Sequence, residues 1–196
     1  MINFSAHRFY AVVDLAPQYD VLDLTLPADQ RPPAEHLFSI GRYDEDRVIY
    51  TQDLFAGAER RTVHVGIDIG GPPGTAVSAF AAGTVLHVGY NPAEGDYGHA
   101  LVTHHVLDGV DLYALCGHLA ASVLDLSPSG RVFEAGELLA EFGAESENGG
   151  WPPHLHFQLA WERPETHDMP GVVTGAERLD ALQRYPDPRL VLGPLY

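Results

Sequence analysis

The sequence contains no lysine, because all 11 of its basic side chains are arginines. This absence excludes chemistry that needs an amine side chain, including Schiff-base catalysis, P-loop phosphate binding and covalent attachment of lipoyl or biotinyl groups. The single cysteine, Cys116, excludes an internal disulfide and a thiolate set for structural zinc. Because Cys116 lies in an apolar run, we predict that it is a small buried hydrophobe rather than a nucleophile.

Long apolar runs and net positive charge are also missing. The candidate apolar segment near the start, residues 10–13, is far too short for a signal peptide or a membrane span. As the sequence stands we expect a cytoplasmic protein, or an extracytoplasmic one if a signal was removed. The formal net charge of −16 repels phosphate backbones and anionic lipids, so neither nucleic acid nor a membrane is expected as a partner.

The central part of the chain has a β texture. Short runs of β-forming residues, separated by Gly and Pro turns, cover residues 62–69, 76–79, 84–88, 100–106, 110–115, 138–142 and 154–161. This punctuation predicts a mainly β fold, a sandwich or barrel rather than a βαβ fold. A chain of 196 residues is long enough to bury one such domain well.

The two flanks are predicted to be less regular. Residues 1–60 are interpreted as an N-terminal extension that is partly strand, with alternation over 21–26, a helix or loop over 34–40 and β-formers at 47–50. Residues 61–162 form the predicted β domain. Residues 163–196 are predicted to be a C-terminal tail with one short helix over 176–184, capped by Thr174 and stopped by Pro186.

Two pairs of polar residues interrupt the apolar β-runs. His64 and Asp68 form H-x-x-x-D, and His154 and His156 form H-x-H. On an extended segment, residues an even number apart share one face, so each pair can point at one metal ion. Nitrogen and oxygen ligands with one position left for water are typical of catalytic zinc, although two histidines and a carboxylate also suit Fe(II). An isolated H-x-H is often only two satisfied polar residues, but both pairs together favour a metal site.

Five motifs occur in one order over about residues 62–160. They are His64-Val-Gly-Ile-Asp68-Ile, Gly74-Thr-Ala-Val with Ala82-Gly-Thr-Val, Asp96-Tyr-Gly-His-Ala-Leu-Val, Leu112-Tyr-Ala-Leu-Cys-Gly-His118-Leu and Pro153-His-Leu-His-Phe157. In these motifs the chain resembles the lysostaphin/LytM-type zinc metalloendopeptidases. The resemblance implies an antiparallel β-sheet groove of the barrel-sandwich hybrid type.

The same resemblance implies a set of roles. One Zn²⁺ ion is held by His64, Asp68 and His156, while His118 and His154 serve as general base and oxyanion stabilisers. The reaction implied is hydrolysis of a peptide bond in peptidoglycan stems or crosslinks, next to glycine or D-alanine. Two alternatives remain open: a non-hydrolytic binding or activator module, and a cytoplasmic metal-dependent hydrolase of a small substrate outside the cell wall.

The chain departs from the family pattern just before H-x-H. The family usually has a loop rich in Gly, Ser and Thr there, whereas residues 147–153 contain Trp151, which we predict restricts or reshapes the groove. Residues 41–47 and the Pro186-Asp-Pro tail look similar to a cytoplasmic subgroup, in which such a domain accompanies aminotransferase- or kinase-like domains. That similarity favours the small-substrate alternative.

The remaining histidines and aromatics are predicted to have minor roles. His104 and His105 are adjacent, so on a strand one faces the core and the other meets solvent. His99 is a weak candidate for contacting a metal ligand. Tyr97 is predicted to be a turn or packing residue.

Overall fold

β-Strands make up most of the regular structure of this protein, whose computed structural model describes residues 1–196. The strands are β1 (Asp20–Leu22), β2 (Ser39–Gly41), β3 (Glu45–Asp46), β4 (Val63–His64), β5 (Ile67–Gly70), β6 (Ala76–Ser78), β7 (Gly83–Asn91), β8 (Gly98–Leu107), β9 (Val110–Leu119), β10 (Val132–Phe133), β11 (Leu138–Glu141), β12 (His154–Ala160) and β13 (Val172–Val173). The helices are α1 (Val123–Leu126), α2 (Arg178–Arg184) and α3 (Arg189–Leu192), with 3₁₀ turns at Phe4–Ala6, Ala28–Gln30 and Asp53–Phe55. None of these helices has the length and apolar character needed to cross a membrane.

An open sheet of eight strands organises the molecule. Its order is β1-β2-β5-β12-β9-β8-β7-β10, flanked by a three-stranded sheet β13-β4-β3 and the pair β11-β6. All strand pairs are antiparallel except β1 with β2. The mainly β, antiparallel fold class predicted from the sequence is confirmed, and the sheet does not close into a barrel.

The main core lies on one face of the large sheet. Strand β12 shows the division clearly, because Leu155, Phe157 and Leu159 point into the core cluster while the intervening polar residues point to the opposite face. Full burial of each such apolar side chain contributes about 1.5–3 kcal/mol. Cys116 belongs to the same core, and burial raises the pKa of its thiol to about 12, which confirms the prediction of an inert buried residue.

The N-terminal extension adds two strands to one edge of the large sheet. Strand β2 pairs with β5, and β1 adds a parallel edge to β2. The ambiguous stretch at 34–40 therefore ends in a strand, and the alternation at 21–26 yields only β1, since residues 23–26 turn away. The β-forming residues at 47–50 form no strand, and the side chain of Arg47 is buried.

The run at 62–69 is two strands rather than the single strand predicted. Strand β4 belongs to the three-stranded sheet and β5 to the large sheet, and the chain bends between them at Val65 and Gly66. A Cβ atom at Gly66 would lie 2.5 Å from the imidazole of His156, so the bend passes directly against that ring. Glycine permits this close approach.

The predicted C-terminal helix is present as α2. It is preceded by a capping box, in which the Thr174 hydroxyl accepts from the amide of Glu177 and the Glu177 carboxylate accepts from the amide of Thr174. The helix begins two residues later than predicted and ends at Arg184, before Pro186, as expected. The sequence pattern missed β3, β10 and β13, because two-residue strands are too short to show a period.

Candidate metal centre

Three strands bring together the side chains of His64, Asp68 and His156. Asp68 on β5 and His156 on β12 are directly opposite each other across the antiparallel pair, and His64 reaches them from the end of β4. The Nε2 atom of His64 lies 2.9 Å from Nδ1 of His156, and Oδ1 of Asp68 lies 3.2 Å and 3.1 Å from these two nitrogens. The structure thus places the three residues predicted as ligands in one triangle of donor atoms.

Hydrogen bonds outside the triangle assign the tautomers of both histidines. The Nδ1–H group of His64 donates to the carbonyl oxygen of Arg42 at 3.0 Å. The Nε2–H group of His156 donates to Oε1 of Gln158 at 2.9 Å, and the amide nitrogen of Gln158 donates in turn to the carbonyl oxygen of Pro170. In the neutral form of each imidazole, these bonds leave the lone pair on the nitrogen that faces the triangle.

The triangle fits a cation. Two nitrogen lone pairs and a carboxylate oxygen face one another, which is repulsive unless a positive charge lies between them. Nitrogen and oxygen ligands about 2.0–2.2 Å from a tetrahedral zinc ion lie roughly 3.3–3.5 Å apart, so the observed triangle needs only slight expansion. The external hydrogen bonds on both imidazoles are those that normally orient metal-ligating histidines.

Electrostatics keep the ligands in the forms that bind metal. Burial, reinforced by the positive charge of Arg47, lowers the pKa of His64 to about 4, so the ring is neutral at neutral pH. Burial alone would raise the pKa of Asp68, but His64, Arg47 and His156 outweigh it and hold that pKa well below its usual range. The site therefore offers a neutral imidazole and an ionised carboxylate.

His118 and His154 lie beside the triangle as a second pair. Their ring centroids are 4.2 Å apart, and Nε2 of His154 lies 3.9 Å from Oδ1 of Asp68. The Nδ1–H group of His118 donates to the carbonyl oxygen of Asn148 at 2.8 Å, and that of His154 to the carbonyl oxygen of Pro152 at 2.7 Å. Burial is the main cause that lowers the pKa of both rings, so each presents a neutral Nε2 lone pair.

An irregularity in β9 aims His118 at the site. Strict alternation would place His118 on the core face of the strand together with Cys116. The register between β8 and β9 shifts at this point, and His118 has a positive φ of 64°. Such a bulge redirects side chains and is found beside active sites, where a strained backbone is retained.

Several supporting residues were not predicted from the sequence. Arg47 contacts Asp68, Gln158 contacts His156, and the carbonyl of Asn148 holds His118. Gln158 had a usable signal, because it follows H-x-H with the same period of two. The other two lie on irregular backbone and carry no pattern.

The remaining histidines and aromatics follow the sequence expectations in part. His105 is buried and His104 is partly exposed beside Asp111, as the alternation predicts. Tyr97 is a packing residue, with its ring against His156 and His118. The weak candidate His99 bonds instead to the carbonyl oxygen of Glu147.

The triangle lies in a cavity of about 690 Å³. Its lining includes Leu24, Phe38 and Phe55 from the N-terminal extension and, from later in the chain, Trp151 and Met169. The ring of Trp151 lies 6.4 Å from that of His118, so this tryptophan narrows the cavity next to the second histidine pair. The arrangement can hold a metal ion and, through the second histidine pair, accept a proton next to it.

Comparison with known proteins places this site in a family. The model of Peptidase family M23 matches residues 62–168, more than half of the chain, and this range contains all five histidine and aspartate residues of the site. No curated protein matches the chain at a significant level.

Solved structures that the chain is similar to include three peptidases. A zinc-containing peptidase from Vibrio cholerae shares 22% identity over 78% of this chain and 36% of its own, with a TM-score of 0.48. A mutant catalytic domain of the prophage-encoded M23 protein EnpA from Enterococcus faecalis shares 22% identity over 66% of this chain and 84% of its own, with a TM-score of 0.46. The catalytic domain of lysostaphin from Staphylococcus simulans shares 19% identity over 64% of this chain and 86% of its own, with a TM-score of 0.43. The chain thus spans about a third of the Vibrio cholerae protein. From the match of the family model, the chain belongs to peptidase family M23, a family of metallopeptidases.

Proposed function

We propose that this protein is a zinc-dependent peptidase that hydrolyses an amide bond in a peptide, in the manner of peptidoglycan endopeptidases. The observation that carries the proposal is the triangle of one oxygen and two nitrogen atoms, 2.9–3.2 Å apart, on His64, Asp68 and His156. Family membership supports it, since the members are metallopeptidases.

The donor set suits zinc. Two imidazole nitrogens and one carboxylate oxygen leave a fourth position for water or substrate, which is the arrangement of catalytic zinc sites. When bound, the ion supplies a Lewis acid that activates water and polarises the substrate carbonyl group. His64, Asp68 and His156 would hold it.

His118 and His154 are proposed to move the protons. Each ring has its Nδ1–H group tied to a backbone carbonyl, so only Nε2 can accept a proton from the attacking water and later deliver it to the leaving amine. The imidazolium formed in this way can also donate a hydrogen bond to the developing oxyanion. The bonds to Asn148 and Pro152 keep both rings oriented for this exchange.

The substrate is proposed to be a short peptide. A cavity of about 690 Å³ is within the usual range for small ligands, roughly 300–1,000 Å³. Leu24, Phe38 and Phe55 line the cavity from the N-terminal extension, and Trp151 lines it beside His118. We therefore expect better hydrolysis of small glycyl and D-alanyl peptides than of intact cell-wall sacculi.

The proposal is tested by metal analysis and hydrolysis assays on the purified 196-residue chain. Metal analysis by mass spectrometry should find one zinc ion per chain, and a chelator should abolish peptide hydrolysis until zinc is restored. Small glycyl and D-alanyl peptides are assayed beside intact sacculi. A protein that carries no stoichiometric zinc and cleaves neither substrate contradicts the proposal and favours a non-hydrolytic binding module. Faster cleavage of sacculi would refute only the assignment of a short substrate.

A further inference from the structure

We infer that Arg47 is a positioning residue of the metal centre, whose guanidinium group holds one oxygen of Asp68 so that only the other oxygen faces the ligand histidines. This inference rests on the proposed metal-binding function. It brings the N-terminal segment into the site, because Arg47 precedes residues 62–168, the range of the family match.

The two carboxylate oxygens of Asp68 have different partners. Oδ2 accepts from Nη1 of Arg47 at 2.5 Å. Oδ1 is the atom that lies 3.2 Å from Nε2 of His64 and 3.1 Å from Nδ1 of His156. With Oδ2 engaged, Asp68 is arranged to contribute one oxygen to a metal ion, and the fourth position of the ion stays free for water.

Arg47 is itself rigidly held. Its side chain is 0% exposed, its Nε donates to Oε2 of Glu45 at 2.9 Å, and its Nη1 also donates to the hydroxyl of Tyr50 at 3.0 Å. Its Nη2 donates to the carbonyl oxygen of Arg42 at 3.0 Å. A planar guanidinium with three bonding nitrogens fixes direction in a way that a lysine ammonium does not.

One carbonyl group connects Arg47 to a second ligand. The carbonyl oxygen of Arg42 that accepts from Arg47 also accepts from Nδ1 of His64. Residues 42–50 therefore orient two of the three ligands, His64 through the backbone and Asp68 through the Arg47 side chain. The third ligand, His156, is oriented by Gln158 on its own strand.

The test compares variants of the full-length protein: Arg47→Met, Arg47→Lys and, as a control, Arg178→Met. Arg178 forms an ion pair with Asp44 on the same N-terminal segment but contacts no ligand. Zinc affinity is measured by competition with a chelator, and the ligand geometry by the visible absorption of the Co²⁺-substituted protein. Four-coordinate cobalt absorbs more strongly than cobalt with more ligands, so the spectrum reports whether the freed oxygen of Asp68 joins the metal.

We expect Arg47→Met to weaken zinc binding about 10–100-fold and to weaken the cobalt absorption. Arg47→Lys should lose about tenfold in affinity, and Arg178→Met should match the wild type. If Arg47→Met fails to fold, Arg47→Lys decides in the same way. Wild-type affinity and an unchanged cobalt spectrum in a folded Arg47 variant overturn the inference. A wild-type protein that binds neither zinc nor cobalt refutes the proposed function instead.

Discussion

Two buried regions of this molecule use histidine in different ways. His105 lies on β8 and faces the main core, where it is 1% exposed, and His64 in the metal centre is also 1% exposed. Burial lowers the pKa of each ring to about 4, so both are neutral at neutral pH. Burial and pKa therefore do not distinguish the two regions.

The partner of the second ring nitrogen does distinguish them. The Nδ1–H group of His105 donates to the carbonyl oxygen of Ala82 at 3.0 Å, and its Nε2 accepts from the hydroxyl of Thr103 at 2.9 Å. His64 also donates through Nδ1, but its Nε2 faces another acceptor, Nδ1 of His156. A histidine whose hydrogen bonds are complete is structural, whereas facing lone pairs indicate a place for a cation.

The largest expected effect comes from removing a ligand of the triangle. His156→Ala should abolish both zinc content and peptide hydrolysis, because only two donor atoms remain. Zinc is measured by mass spectrometry and hydrolysis with the short peptides. The matched control is His105→Gln, which removes a buried histidine elsewhere and should retain one zinc per chain. Equal zinc loss in both variants would mean that general destabilisation, not ligation, controls metal content.

A smaller effect separates the ligands from the second histidine pair. His154→Ala should keep its zinc while its kcat falls about 10²–10⁴-fold, the usual contribution of a general acid–base group. His118→Ala should behave in the same way. Zinc content and kcat are measured on the same samples. Full activity in His154→Ala would remove that residue from the mechanism.

The division between ligands and supporting histidines was implied by the family resemblance, whereas the periodicity predicted only which residues share a face. Strand β12 is extended throughout, so a period of two correctly places His154 and His156 on one face. The same rule did not account for His64 and Asp68, which converge because the chain bends at Gly66 and changes sheet. Those two residues were still identified, because the H-x-x-x-D pattern was interpreted as one extended segment and the family resemblance implied the same ligands.

Residues on irregular backbone escaped prediction for a physical reason. The orientation of His118 depends on a β-bulge that no alternation pattern contains. Arg47 was read as part of a β-forming run, and a fully buried arginine is rare enough that sequence alone favours a solvated one. Its burial depends on ion pairs with Glu45 and Asp68, and Asp68 comes close to it only in the folded chain.

Burial of the structural histidine gives a pH effect that a variant can isolate, because His64 contributes an effect of the same sign in the metal-free protein. The pKa of His105 is about 4 in the folded protein and about 6.5 when unfolded. Between these values the unfolded chain binds the extra proton, so the stability present above pH 6.5 is lost as the pH falls towards 4. The loss is at most about 3 kcal/mol. Urea unfolding of the metal-free protein at several pH values should show a shallower pH dependence in His105→Gln, and parallel curves would contradict the assignment.

The smallest expected effect concerns how tightly the backbone fits around the triangle. A Cβ atom in Gly66→Ala would lie 2.5–2.6 Å from the imidazole of His156, so the ring or the bend must shift. We expect a loss of about 1–3 kcal/mol in unfolding free energy, the usual cost of overpacking, together with weaker zinc binding. In the control Gly175→Ala the added Cβ meets only the end of the flexible Glu59 side chain at 3.2 Å, so zinc affinity should not change. No added atom approaches His105 in either variant. Weaker zinc binding in Gly66→Ala alone would therefore show that the added methyl group disturbs the metal ligands. Wild-type zinc affinity in Gly66→Ala would show instead that the ring of His156 has room to adjust.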